Sequence, residues 1–222
     1  MDWSAPVSLY CERTGPAFCA EPVNALSNAA FVLAAAAGFV LWRRAGGRDW
    51  PVLALIVVVA AVGLGSFTFH TVATRGAALA DVIPIAIFIY GYLALALRRF
   101  LHLSAPAVVA IVIGLAAAAQ ALAVAFPATL NGSVAYLQAL LAMIGVAFAA
   151  HGTARHRLAL AAVLFTASLA LRTIDHAVCA QFPLGTHFLW HVLNAAVLYV
   201  LLRAAITAKE EEWENAVMAA RF

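Results

Sequence analysis

Charge is what this chain has least of: charged residues make up 10% of its 222, against 66% hydrophobic, and the mean hydropathy is +0.98. An ordinary soluble domain carries roughly 25% charged residues, so that class is excluded, and lipid is the solvent for most of the chain. Low-complexity linkers and soluble repeats are also missing, and with almost every segment between polar breaks needed to span, 222 residues leave no room for an additional soluble domain. We read one domain over residues 1–222: an extracytoplasmic amino-terminal segment (1–23), a helix bundle (24–205) and a cytoplasmic tail (206–222). The start is acidic and polar (Asp2, Glu12, Glu21) and lacks the basic n-region, apolar h-region and cleavage site of a secretory signal. The first helix is therefore expected to direct insertion. The formal charge of +3 comes from arginines grouped at helix ends, as topology signals are, so no nucleic-acid partner is expected.

What is present is a series of apolar stretches, at 24–42, 51–69, 79–97, 106–126, 134–150, 158–171 and 187–202. Most approach the ~20 residues a helix needs to cross a hydrocarbon core of ~30 Å. The sixth is interrupted by Arg172, Asp175 and His176, and spans only if those groups face protein or water. Gly46-Gly47, Pro127 and Asn131-Gly132 punctuate brief loops, so neighbouring helices run antiparallel. The predicted fold is an all-α bundle of seven transmembrane helices. Arg43, Arg44, Arg48, Arg98, Arg99, Arg155, Arg157, Arg203 and Lys209 follow helices 1, 3, 5 and 7, whereas the other side carries Arg13, Arg75 and Arg172. The positive-inside rule then puts the amino terminus outside and the carboxyl terminus in the cytoplasm. The glutamates at 210, 211, 212 and 214 read as a solvated cytoplasmic tail.

In this topology Ser66 and His70 at the end of helix 2, Asp81 at the start of helix 3, and His187 and His191 at the start of helix 7 share one depth, at the outer face. His187 and His191 are four apart, as are Ser66 and His70, so each pair shares a helix face. A lone membrane histidine serves more often as an interhelical hydrogen-bonding group than as a ligand. A third histidine and an acid at matching depth favour a metal, because ionisable groups inside a membrane are costly and usually functional. Three neutral imidazoles suit Zn²⁺ with a fourth position left for water, the arrangement of a catalytic site, and Asp81 is the partner for that water. His102, His151 and His156 sit beside arginines on the other side and read as interfacial. Arg172, Asp175 and His176 read as a structural ion-pair group near the site.

Four segments resemble the alkaline ceramidase family, part of a wider group of seven-helix hydrolase-like membrane proteins that includes the progestin and adiponectin receptors. They are Tyr10-Cys11-Glu12-Arg13 with Glu21-Pro22-Val23-Asn24-Ala25-Leu26-Ser27-Asn28, then Gly65-Ser66-Phe67-Thr68-Phe69-His70, then Leu79-Ala80-Asp81-Val82-Ile83-Pro84-Ile85, and His187-Phe188-Leu189-Trp190-His191. The resemblance implies a zinc-dependent amidase acting on ceramide-like N-acyl sphingoid lipids. His70, His187 and His191 would be the zinc ligands, Asp81 would orient and deprotonate the attacking water, and Ser66 would stabilise the oxyanion. The lipid substrate would enter laterally, its acyl chain between helices.

The resemblance also implies a calcium site near the amino terminus, mapping onto Glu12 and Glu21 with Thr14, while Ser8 or Leu9 stands where an aspartate is expected. Fewer anionic ligands weaken Ca²⁺ affinity. For Glu21 the plainer role is a carboxylate at the positive end of the helix 1 dipole. The family's glutamate after Asp81 is Val82 here. Cys11, Cys19 and Cys179 all fall outside, where a disulfide is permitted. Resemblance favours Cys11 with Cys179, and Cys11 with Cys19 is the local alternative. Two further readings stay open: a related hydrolase with another acyl amide or ester substrate, and a non-enzymatic lipid receptor whose zinc is structural. Asp81 and Ser66 argue for catalysis, since a structural site needs neither. No pair of broken helices at the midplane supports a transporter.

Overall fold

The computed structural model describes residues 2–127 and 129–219, with side chains through Ala208. It is a bundle of α1 (Pro22–Arg44), α2 (Trp50–Val72), α3 (Arg75–Arg99), α4 (Ala105–Ala125), α5 (Val134–Ala149), α6 (Gly152–Val178) and α7 (His187–Ala219). Six are long and apolar enough to cross a membrane, counting the His187–Ala208 stretch of α7. The shorter α5, at 16 residues, rises about 24 Å against the ~30 Å of a hydrocarbon core. Each expected apolar stretch lies on one helix to within one residue, Phe126 and Ala150 falling just past the ends of α4 and α5. The sixth is longer than its apolar count, because Arg172 and Asp175 lie within a continuous α6 and are satisfied by protein groups. The acidic tail is helical through Ala219; its side chains and residues 220–222 lie outside the described residues.

Helix starts follow local chemistry. Pro22, Pro51 and Pro106 sit in the first turns of α1, α2 and α4, where a missing N–H costs nothing. Thr74 caps α3, its hydroxyl accepting from the Ala77 N–H at 3.2 Å. Side chains pack inward at Val52, Val59, Phe88, Leu158 and Leu202, while Val57, Leu64, Ile113 and Val163 are exposed on the outside of the bundle. That pattern suits a lipid-facing surface, where apolar groups need no cover.

Two irregularities position the polar end of the bundle. α1 is interrupted at Asn28, between the segments Pro22–Ser27 and Ala29–Arg44. The Asn24 carbonyl accepts instead from the Ser27 hydroxyl (2.7 Å) and the Asn28 amide (2.8 Å), side-chain donors that compete with the backbone ladder. In α3, Pro84 has no N–H to offer the Ala80 carbonyl. That carbonyl lies against Gly65 of α2, so close that a Cβ there would collide with it. The glycine thus lets α2 and α3 touch by backbone one residue away from both Ser66 and Asp81.

The segment before α1 covers this end. It runs alongside the α2–α3 connection through Val7 N–H to Ala73 O (2.8 Å), Arg75 N–H to Ala5 O (3.1 Å) and Gly76 N–H to Trp3 O (2.9 Å). A disulfide between Cys11 and Cys179, 168 residues apart, fastens it to the end of α6. Cys19 is free and exposed, so the pairing favoured by resemblance is the one formed.

Candidate metal centre

His70 ends α2 and His187 and His191 open α7, and their ligand nitrogens lie within 4.8 Å of one another, all three residues buried. Ring centroids stand 5.2 Å (His70 to His187), 4.8 Å (His70 to His191) and 4.5 Å (His187 to His191) apart. Hydrogen bonding sets how two of these rings present themselves. His70 Nδ1 lies 2.6 Å from Glu21 Oε2, a carboxylate that can only accept, so Nδ1 carries the proton and Nε2 its lone pair. His191 Nδ1 lies 2.7 Å from Ser27 Oγ, whose own proton goes to the Asn24 carbonyl, so this imidazole too donates from Nδ1. A histidine whose far nitrogen is held by a carboxylate or hydroxyl is oriented as metal-ligating histidines are.

The third ring is held differently. The backbone N–H of His187 donates to Asp175 Oδ1 at 3.0 Å, and its imidazole stacks on Tyr10 with centroids 3.5 Å apart. Burial raises the Tyr10 hydroxyl above its ordinary pKa, so it stands over the histidine as a neutral phenol. Buried His70 Nε2 and His187 Nδ1 have no hydrogen-bond partner. Three imidazoles with ligand atoms this close, two of them carrying a nitrogen that no protein group satisfies, fit a resident Zn²⁺, which takes neutral nitrogen donors and tolerates an open fourth position.

Asp81 and Ser66 line the same cleft as His187 and His191. Ser66 is buried and interacts with the Asp81 carboxylate, whose Oδ1 is also buried without a partner. From there a narrow cleft runs down the bundle to Tyr92, Ala96 and Leu201. Asp81 to Ala96 is about 22 Å of helical rise, more than the ~15 Å of one leaflet's acyl layer. Apart from Gln138 and Asn194 its deeper walls are apolar and aromatic, a shape for a hydrocarbon chain.

The expected ion-pair group does not form. Asp175, 0% exposed, accepts from three backbone amides: Cys11 through Oδ2 at 3.0 Å, and Thr186 and His187 through Oδ1 at 2.7 and 3.0 Å. Arg172 lies over Tyr136 and Trp190 (5.2 and 5.6 Å) and donates to Ser133 and the Asn131 carbonyl. His176 meets the Leu9 carbonyl at 2.7 Å. The otherwise unpaired amides at the start of α7 find their acceptor in Asp175, while Arg172 is turned to two aromatic faces and to Ser133. The carboxylate at the start of α1 is likewise not the one expected. Glu12 accepts from the Val23 and Asn24 amides at 2.7 and 2.8 Å, while Glu21 bridges His70 and Arg13. Burial pushes the Glu21 carboxyl up, but hydrogen bonds from His70 and Arg13 outweigh it and hold the pKa below its ordinary value. His102, His151 and His156 lie toward the opposite end of the bundle, where α3 ends and α6 begins.

Sequence reasoning assigned no role to Tyr10, Ser27 or Arg13 in the site, although all three stand in segments that carry the resemblance. Ser27 lies at the break in α1, where its hydroxyl meets both the Asn24 carbonyl and His191 Nδ1. The family model described as Ceramidase matches residues 10–221. No curated protein matches the chain.

Proposed function

The chain belongs to the ceramidase family, and from that premise we propose that it is an integral-membrane, zinc-dependent amidohydrolase that cleaves ceramide-like lipids into a fatty acid and a sphingoid base. The observation that carries this reading is the convergence of three buried imidazoles, two with unpartnered nitrogens, on a carboxylate with a free oxygen at the mouth of an apolar cleft. His70, His187 and His191 would hold Zn²⁺, which when bound supplies polarisation of an acyl carbonyl and acidification of a water. Asp81 takes the proton of the attacking water as it adds to the amide carbon. The same carboxyl returns that proton to the nitrogen as the C–N bond breaks, releasing the amine and leaving the acyl group as a carboxylic acid, which then ionises in water. Ser66 donates to the negative charge that develops on the acyl oxygen. Tyr10 and the amino-terminal segment exclude bulk water, and the apolar cleft receives a hydrocarbon chain.

Arginine distribution supports an outside amino terminus and a cytoplasmic carboxyl terminus, with the site facing the extracytoplasmic side. Residues 1–23, 24–205 and 206–222 are then the outer segment, the bundle and the inner tail of one domain. The test is release of fatty acid by purified protein from N-acyl sphingoid bases, N-acyl amino acids and phospholipids, with and without a zinc chelator, beside His187→Ala and Asp81→Ala. Hydrolysis of the sphingoid amides that is lost under all three treatments is expected. Hydrolysis that survives both substitutions removes the assignment, and activity confined to another amide or an ester replaces the substrate.

A further inference from the structure

Arg13 stands in a cage of oxygens. Its Nε donates to Glu21 Oε1 at 2.5 Å, Nη1 to the carbonyls of Gly15 and Ala17 at 3.2 Å each, and Nη2 to the carbonyl of His70 at 3.0 Å. The side chain is 3% exposed. One carboxylate and three backbone carbonyls are the kind of donor set with which proteins hold a hard divalent cation. Here a guanidinium belonging to the chain fills it.

The residues expected to bind calcium therefore do not fit that ion. Both oxygens of Glu12 are taken by the Val23 and Asn24 amides, and those of Glu21 by Arg13 and His70. A Ca²⁺ ion would have to share the Glu21 carboxylate with a guanidinium already on it, and like charges a few ångströms apart in a buried site repel strongly. We propose that Arg13 is the resident cation of this site, a positioning residue that locks the amino-terminal segment and Glu21 against the last turn of α2 and holds His70 in its ligating orientation without calcium. The connection is direct: Oε1 of Glu21 meets Arg13 while Oε2 meets His70 Nδ1, and the same guanidinium binds the His70 carbonyl. Backbone and ring of one histidine are thus fixed through one cation. A monovalent side chain achieves this because its planar donors reach four oxygens at once, which an ammonium does not.

The consequence for His70 rests on its reading as a metal ligand; independence from calcium does not. Thermal unfolding of the full-length protein in detergent, with zinc supplied, is followed with and without millimolar Ca²⁺, for the unsubstituted chain, Arg13→Lys and Arg13→Ala. Zinc retention is measured against a competing chelator. The unsubstituted chain is expected to show no calcium response, whereas an ion present at a hundredfold excess over its Kd would raise Tm by about 5–10 °C. Arg13→Ala is expected to bind zinc about 10- to 100-fold more weakly, the range for loss of an outer-shell partner. Propylguanidinium restores its Tm and zinc retention, and uncharged propylurea does not. Arg13→Lys lies between the two and keeps the comparison available if Arg13→Ala fails to fold. A saturable rise in Tm with Ca²⁺ for the unsubstituted chain overturns the proposal, as does undiminished zinc retention in Arg13→Ala. If the unsubstituted chain binds no zinc, the hydrolase reading fails, while the calcium comparison and the guanidinium rescue of Tm still decide what Arg13 does.

Discussion

Asp175→Asn is the substitution whose cost the structure defines best. The carboxylate accepts from Cys11, Thr186 and His187 and has no contact with solvent. In the variant the amide oxygen takes the place of Oδ1 and keeps the two α7 amides, and the NH2 group is left facing the Cys11 N–H, donor against donor. One charge-assisted hydrogen bond is lost outright, worth about 1.5–3 kcal/mol. The remaining two become neutral and lose roughly half their strength. Together these give a destabilisation of about 3–6 kcal/mol, and a chain of this size loses roughly 2–4 °C of Tm per kcal/mol, so a fall of roughly 6–24 °C is expected. Thermal unfolding in detergent measures it. The share at Cys11 depends on the disulfide that holds Cys11 in place, so the penalty should shrink when Cys179→Ser frees that segment. A Tm change under about 2 °C, or the same penalty in both backgrounds, would refute the assignment of Asp175 as the acceptor that joins the amino-terminal segment to α7.

Asp81→Asn keeps the shape of the site and removes its proton acceptor; turnover should fall about 10²- to 10⁴-fold with zinc content unchanged. Normal turnover in a single-turnover assay takes Asp81 out of the chemistry. Gly65→Ala puts a methyl group onto the Ala80 carbonyl and should cost about 1–3 kcal/mol while displacing Asp81, so Tm and turnover fall together. A variant with both intact shows that α2 and α3 do not meet there. Ser27→Ala removes the acceptor for His191 Nδ1 and should weaken zinc binding about tenfold, read by chelator competition. Unchanged affinity would mean that His191 is oriented by packing alone.

The helices and the three histidines are legible in the sequence for one physical reason. A chain in lipid must satisfy its backbone within each segment, so spans announce themselves by length and hydropathy, and helical spacing then places His187 and His191 on one face. Depth alone brings His70, Ser66 and Asp81 to the same level. What cannot be read this way is everything fixed by the first twenty residues. That segment has no periodicity, and its path is set by distant partners: Arg75 for Ala5, Ala73 for Val7, Asp175 for Cys11. Tyr10 over His187 follows from that path and from nothing near it in sequence. Adjacency also misled, since Glu21 directly precedes α1, yet Glu12 returns to receive its amides and frees Glu21 for His70. Arg13 carried the one signal that local reading could have used. It is a basic residue on the arginine-poor side, next to one of two acids expected to bind a cation, and unless it pairs elsewhere it weakens any such ion. In the fold it pairs with Glu21, one of those acids. An arginine set among the acids of an expected metal site is therefore better read first as the occupant of that site than as its neighbour.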